Sequence, residues 1–272
     1  MTAFELSHVG GPWLRRIAPR RAWIDALPWD HALVADPSSL ATARTTWTRT
    51  AFSEYASAAA FAEIATALLA AGAPIDLVAC AGDFVVDEIV HAECAARITA
   101  WLGGAIALEV DLARLVRPPR AEDPLLAAVE RIVRTSCVGE SLTVPMLKLA
   151  RDETAAPVIA AALAKIVADE SAHAQFGWWV LDWACDELDD AARAHLAAVA
   201  AHAIESFAPV VNRDAARCSA NGLGTLGCAT FDPVFAAAIR ERVVAPLAER
   251  GIHVSLLDHV APEAPRAVDG VS

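Results

Sequence analysis

From about residue 38 onward, apolar positions recur at intervals of three and four, the period of a helix with one greasy face, and the pattern breaks at glycine and proline. Ser38 or Ser39 is placed to cap a first long helix that runs to about Ala71, where Gly72 and Pro74 end it. A second helix extends from about Pro74 to Leu102 and stops at Gly103-Gly104. Residues 105–122, with Pro118-Pro119, form a long connection. A third helix opens at Asp123-Pro124, aspartate as N-cap and proline in the first turn, and continues to about Arg151. A fourth spans about Ala156 to Leu188. Short loop, long crossover, short loop is the order of a single-crossover four-helix bundle; an up-and-down bundle has three short loops.

The flanks read differently. Residues 1–37 carry Gly10-Gly11-Pro12, Pro19, Pro28 and Pro37, together with Trp13, Trp23 and Trp29. That mixture predicts an irregular arm with short helical turns whose indoles pack on the bundle. Past the bundle (38–188), residues 189–212 read as a fifth helix broken near Pro209, and Asp232-Pro233 caps a sixth that runs to about Arg250. Residues 189–260 are therefore expected to be additional helices on an all-α fold, and 261–272 a flexible tail.

Two six-residue phrases stand out inside the apolar pattern. Asp87-Glu88-Ile89-Val90-His91-Ala92 returns, 82 positions later, as Asp169-Glu170-Ser171-Ala172-His173-Ala174. Residues three apart share a helix face, so each phrase aims a carboxylate and an imidazole at one point. With 8 His and 34 acidic residues, roughly 0.5 copies of Glu-x-x-His are expected by chance, so one copy carries little and two with matching flanks carry much. One more glutamate precedes each phrase on the preceding helix, Glu54 and Glu140. Four carboxylates and two imidazoles inside a four-helix bundle make up the ligand set of a carboxylate-bridged pair of iron or manganese ions.

The physical case is electrostatic. Each glutamate sits mid-helix on an apolar stripe: Glu54 with Trp47, Ala51, Ala58 and Phe61, Glu88 with Phe84 and Cys94, Glu140 with Cys137 and Val144, Glu170 with Leu163 and Ile166. A buried carboxylate without a partner costs several kcal/mol. No Arg or Lys shares these stripes near the ligand level, so two divalent cations are expected to balance the charge. Mixed carboxylate and imidazole ligation suits iron or manganese better than zinc. Asp87 and Asp169 are placed to accept the outward N–H of a histidine, across the two halves, and so fix its tautomer.

Charge and composition narrow the partners. A net charge of −12 argues against a nucleic-acid surface, which needs clustered Lys and Arg. No apolar run reaches the roughly 18–20 residues of a membrane span. Arg15-Arg16 and Arg20-Arg21 lack the apolar core of an export signal. Six cysteines without a Cys-x-x-Cys pairing read as reduced and buried, which points to the cytoplasm.

With Glu54, Glu88-x-x-His91, Glu140 and Glu170-x-x-His173 in place, residues 40–188 resemble the ferritin-like diiron carboxylate superfamily. That group includes bacterioferritins, rubrerythrins, ribonucleotide reductase small subunits, multicomponent monooxygenases and p-aminobenzoate N-oxygenases. The resemblance implies that Glu54 and His91 ligate one iron and His173 the other, that Glu88 and Glu170 bridge, and that Glu140 completes the second iron. It implies two iron ions (or a manganese–iron pair), O2 as co-substrate, a small organic substrate, and an electron donor of reductase or ferredoxin type, with a homodimer among the possible assemblies. The expected activity is that of a dioxygen-activating oxidase or oxygenase. The alternatives are a ferroxidase or peroxide-reducing protein of bacterioferritin or rubrerythrin type, and a metal-stabilised helical interaction module.

The chain also departs from relatives within that group. Ile166 stands where the N-oxygenases place a further histidine. Thr143 falls at +3 from Glu140, whereas the hydroxylases carry threonine at +4, here Val144. Tyr55, Cys94, Cys137 and His202 are weaker candidates for chemistry, each also readable as packing. Gly139 and Pro145 flank Glu140, and proline removes the bond to the Ser141 carbonyl. A kink there is expected to open a cavity beside the metals, with Gly177 leaving room opposite.

Overall fold

The computed structural model describes residues 1–116, 118, 121–207 and 222–256. The protein is an all-α bundle. Its first helix, α1 (Gly11–Asp25), leads into α2 (Pro37–Ala70) and α3 (Ile75–Trp101). A long crossover follows, then α4 (Pro124–Ile132), a π-helical stretch (Val133–Glu140) and α5 (Ser141–Glu153), which run on as one bent rod. After α6 (Pro157–Ala184) come α7 (Asp190–Ser206), α8 (Cys228–Ala238), a second π-helical stretch (Ile239–Val244) and α9 (Ala245–Glu249).

The bundle proper is α2, α3, the α4–α5 rod and α6. Helices α2 and α3 pair along their lengths, as do α5 and α6, and contacts of α2 with α4 and of α3 with α6 close the square. Trp47, Phe61, Ile64, Ile98, Ile132, Leu142, Phe176 and Leu181 fill its axis almost without exposure. Helix α7 lies against the first π stretch, and α8 against α5. Among the described residues no helix is long and apolar enough to cross a membrane.

Local chemistry accounts for the ends. Gly72, Gly103 and Gly104 follow α2 and α3 at positive φ of 67°, 104° and 108°, a region that side chains rarely enter. The cap of α2 is Asp36, two residues before Ser38: its Oδ1 accepts the backbone N–H of both Ser38 and Ser39 at 3.0 Å. Proline at N1 frees this aspartate to bind the next two amides. Asp123 caps α4 as expected, accepting from Leu126 N at 2.8 Å.

Three expectations are corrected. The 1–37 segment is no irregular arm: it holds the 15-residue α1, which runs through Pro19 and packs on α3. Its start is tied down as well, since Thr2 and Ala3 (β1) pair antiparallel with Glu109 and Val110 (β2) in the crossover. Helix α8 begins at Cys228, not at Asp232-Pro233; Gly227 caps it, and Pro233 lies inside, early enough to forfeit a single backbone bond. The distortion of the third bundle helix precedes Pro145. A π stretch widens the turns up to Glu140, and the chain continues as α-helix through the proline, whose ring needs clearance only at the Ser141 carbonyl. Pro209 and the 261–272 tail lie outside the described residues.

Candidate metal centre

Six predicted side chains come from four helices: Glu54 on α2, Glu88 and His91 on α3, Glu140 at the last position of the π stretch, Glu170 and His173 on α6. All are buried except Glu54, whose side chain is 13% exposed. One ligand atom each from Glu54, Glu88, His91 and Glu170 falls within 4.8 Å of the others. His173 Nδ1 joins from the far side, 2.9 Å from Glu170 Oε2 and 3.0 Å from Glu88 Oε1. Glu88 and Glu170 are therefore shared between the two histidines. Glu140 stands outside the four-atom group, yet its carboxyl feels Glu170, Glu88 and His173.

The histidines are wired across the halves. His91 on α3 donates Nε2–H to Asp169 Oδ2 on α6 at 3.1 Å. His173 on α6 turns Nε2 toward Asp87 Oδ2 on α3, at 3.6 Å. Each ring thus presents Nδ1 to the centre; Asp169 fixes the tautomer of His91, and Asp87 faces His173 Nε2 at a separation longer than a hydrogen bond. Each aspartate is held in turn by a cation: Asp169 by Lys165, four residues earlier on α6, and Asp87 by Arg20 from α1, which also bonds Asp83 at 2.8 Å. These two cations went unread in the sequence. Lys165 was visible at i−4 from Asp169, but Arg20 had no local signal.

The electrostatics show a cluster short of positive charge. Burial, then the nearby Glu88 and Glu170, pushes the Glu54 carboxyl well above the usual range. Glu140 is raised likewise, by burial and then by Glu170 and Glu88, and Glu88 by burial and Glu170. Burial would raise Glu170 too, but His173 and His91 outweigh it and hold this carboxyl low. Burial opposes charge on the imidazoles, yet Asp169 and Glu170 push His91 up to about 10. Asp87, Glu170 and Glu88 push His173 up to about 12. Protons stand where cations would.

Hydrogen bonding tells the same story. Both oxygens of Glu88 and Nδ1 of His91 are buried without an aligned partner, although His91 Nδ1 is 3.1 Å from Glu170 Oε1. A direct bond would satisfy one of these atoms; a cation between them satisfies all. The donor set is oxygen-rich, with one imidazole nitrogen per half, and fits hard divalent ions such as iron or manganese.

The weaker candidates resolve into packing. Thr143 Oγ1 donates to Gly139 O at 2.9 Å within its own helix. Tyr55 packs edge-on to Phe4. The Cys94 thiol is pushed up to about 12 by burial and then Glu54, and Cys137 is also raised, mainly by burial, so neither is a ready nucleophile. His202 lines a small hollow with Glu130 and Arg134 on the α7 side, and His195 Nε2 pairs with buried Glu130 at 3.2 Å. Cys80, Cys94, Cys137 and Cys185 are unpaired thiols.

Gly177 leaves no room. A Cβ there would lie 2.5 Å from Ser136 Cβ and 3.0 Å from Cys137 N, so the glycine lets α6 press on the π stretch. A cavity of about 340 Å³ does lie one residue away from the ligands, lined by Ser141 and Val144 of α5 and by Ser171, Ala174 and Trp178 of α6. None of the six ligands lines it. Compared with family models, curated proteins and solved structures, the chain matches none. What stands is a candidate metal-binding cluster of Glu54, Glu88, His91 and Glu170 inside an all-α bundle.

Proposed function

We propose that this chain is a non-haem diiron oxidase or oxygenase of ferritin-like type that uses O2 to oxidise a small organic substrate. The observation that carries the reading is the crossed pair of histidines over two shared glutamates, with Glu88 Oε1, Glu88 Oε2 and His91 Nδ1 buried and unsatisfied. Glu54 and His91 would hold one metal and Glu140 and His173 the other, with Glu88 and Glu170 between them. When bound, such a pair supplies two-electron chemistry with O2.

The chain's own residues prepare for that. Asp87 and Asp169 orient the imidazoles, each steadied by its cation. Phe61 and Phe84 pack on the His173 ring, at 5.0 and 4.2 Å between centroids, and with Phe176 exclude water from that side. An electron donor of reductase or ferredoxin type belongs to the reading. A cavity lined by the chain neighbours of Glu140, Glu170 and His173, though by none of the ligands themselves, supports an organic substrate over the ferroxidase or peroxide-reducing alternative, which needs none.

The test is metal analysis after anaerobic reconstitution with Fe(II), then O2 uptake. Two irons per chain and O2 consumption with no cage assembly are expected. One iron or fewer defeats the centre, and rapid iron oxidation inside a hollow oligomer favours the ferroxidase.

A further inference from the structure

The two halves of the bundle each carry a cavity at matching positions. On the α2–α3 side, one of about 330 Å³ is lined by Tyr55, Ile89, Ala92 and Glu93, each one or two residues past a predicted ligand. On the α5–α6 side, the 340 Å³ cavity is lined by Ser141, Ser171, Ala174 and Gln175 at the corresponding places. Their lids differ. The first is closed by Leu6, Val9, Leu14 and Ile17, and its one acid, Glu93, is bonded to Arg21. It is greasy and neutralised.

The second is closed by the second π stretch and left charged. Lys148 lines it from α5 and Arg242 from the lid, against one acid, Glu241. Neither Lys148 nor Arg242 makes an ion pair among the described residues, and Lys148 is half-buried. Arg242 is exposed at the rim and Lys148 lies deeper, so the hollow carries one more cation than acid in a chain of net charge −12 whose only other lysine already clamps Asp169. Both π-helical stretches border this hollow: Ser141 directly follows the first, and Arg242 lies within the second. Such widened turns accompany functional sites. Val144, one turn after Glu140, and Ala174, next to His173 in the chain, are the lining residues closest in sequence to the ligands.

We propose that this cavity docks the organic substrate, and that the substrate is a carboxylic acid whose carboxylate is held by Lys148 and Arg242. The proposal rests on the oxygenase reading of the centre and adds the substrate class. A carboxylate accepts charge-assisted hydrogen bonds from both cations, Arg242 by its fork and Lys148 as a point charge. The Ser141 and Ser171 hydroxyls already donate to Ser136 O and Val167 O, leaving their oxygens as acceptors for the remainder of the molecule. The Trp178 ring, backed by Arg250 at 5.1 Å, offers a flat wall.

The experiment is calorimetric titration of the full-length, iron-loaded chain without O2, using acetate, benzoate and decanoate as probes and benzamide as the uncharged control. Benzoate or decanoate is expected to bind saturably, one per chain, and benzamide at least about tenfold more weakly. Lys148→Met and Arg242→Gln should each weaken the acid, and the double variant by at least about tenfold, with iron content and benzamide binding unchanged. Absence of saturable binding by all three acids, equal binding of benzamide, or an unaffected double variant overturns the proposal. Iron is counted on the same samples. Full iron with no acid binding sinks the pocket and spares the centre; acid binding without iron uptake removes the centre, and with it the acid's role as substrate.

Discussion

The first half of the bundle, α2 with α3, and the second, the α4–α5 rod with α6, present the same chemistry on unlike frames. In the first, two uninterrupted helices of 34 and 27 residues carry Glu54, Glu88 and His91, and their partner aspartate takes its cation from α1, outside the bundle. In the second, Glu140 closes an eight-residue π stretch, a proline follows within the helix, Gly177 brings α6 into close contact, and Lys165 serves Asp169 from the same helix. Four residues before the first aspartate stands Asp83, where the second phrase has Lys165. Only the groups that face the centre repeat. The residues that hold them are free to differ, and one frame is straight while the other is bent.

The sharpest way to break this comparison is to remove a group both halves share. Glu170 touches His91 at 3.1 Å and His173 at 2.9 Å. Glu170→Ala is expected to abolish iron binding at both positions, leaving fewer than one iron per chain, measured by metal analysis after anaerobic reconstitution. Glu54→Ala, on one side only, should retain one. Equal metal content in the two variants would mean that the halves do not meet at Glu170.

Acidity separates the halves next. Groups whose folded pKa is raised contribute stability below their unfolded pKa and lose it as pH rises through the folded value. Both histidines are raised from 6.5, His91 to about 10 and His173 to about 12, and Glu54, Glu88 and Glu140 are raised as well. The metal-free protein therefore loses stability as pH climbs from about 6.5 toward 10. Metal replaces those protons, so the gap in Tm between loaded and metal-free protein should widen from pH 6 to pH 9. The ligand atoms around His91 are already gathered, with one each from Glu54, Glu88, His91 and Glu170 within 4.8 Å of the others. The first metal should accordingly enter beside His91: His173→Ala keeps one tight metal, His91→Ala does not. A thermal-shift series over pH and a metal titration of the two variants check this.

Crossed wiring gives the third contrast. Arg20→Met lies on α1 and touches the first half, yet through Asp87 it should weaken metal held by His173 in the second. Lys165→Met should weaken the metal held by His91. Losses of about 10- to 100-fold in affinity are usual when the carboxylate behind a metal-binding histidine is removed, and removing the cation behind that carboxylate should cost less than this. The readout is stepwise metal affinity combined with the histidine variants; each tether acting on its own half would refute the crossing.

How much of this was legible before folding follows from range. The helix spans, the crossover and the ligand phrases are periodic or local signals, and the structure puts them close to the expected residues. Even the crossed aspartate pairing could be anticipated, because each phrase carries one acid too many for its own histidine. What escaped was long-range or compensatory. Arg20 meets Asp87 across 67 positions, and nothing near either residue announces it. Helix α1 hid behind its prolines, since Pro19 in the sequence looks like a breaker and in the fold costs one turn's bond. Pro145 was read as the seat of distortion, whereas the widened turns lie upstream and end at Glu140.

The smallest contrast concerns packing alone. Gly177 lies four residues after His173, and the matching position after His91 is Ala95, fully buried on α3. By helix propensity alone, Gly177→Ala would stabilise α6 by about 0.5–1 kcal/mol. The geometry reverses the sign: the added methyl meets Ser136 Cβ at 2.5 Å and backbone N of Cys137 at 3.0 Å, and the backbone cannot rotate away. Overpacking of this kind costs about 1–3 kcal/mol. Ala95→Gly, where the first half is straight and already accommodates a methyl, should cost about 1 kcal/mol through helix propensity, together with the loss of one buried methyl. Urea unfolding of metal-free protein at pH 6 measures both. A stabilised Gly177→Ala would mean that α6 and the π stretch are not in contact at Ser136, and that the bent frame does not depend on that close approach.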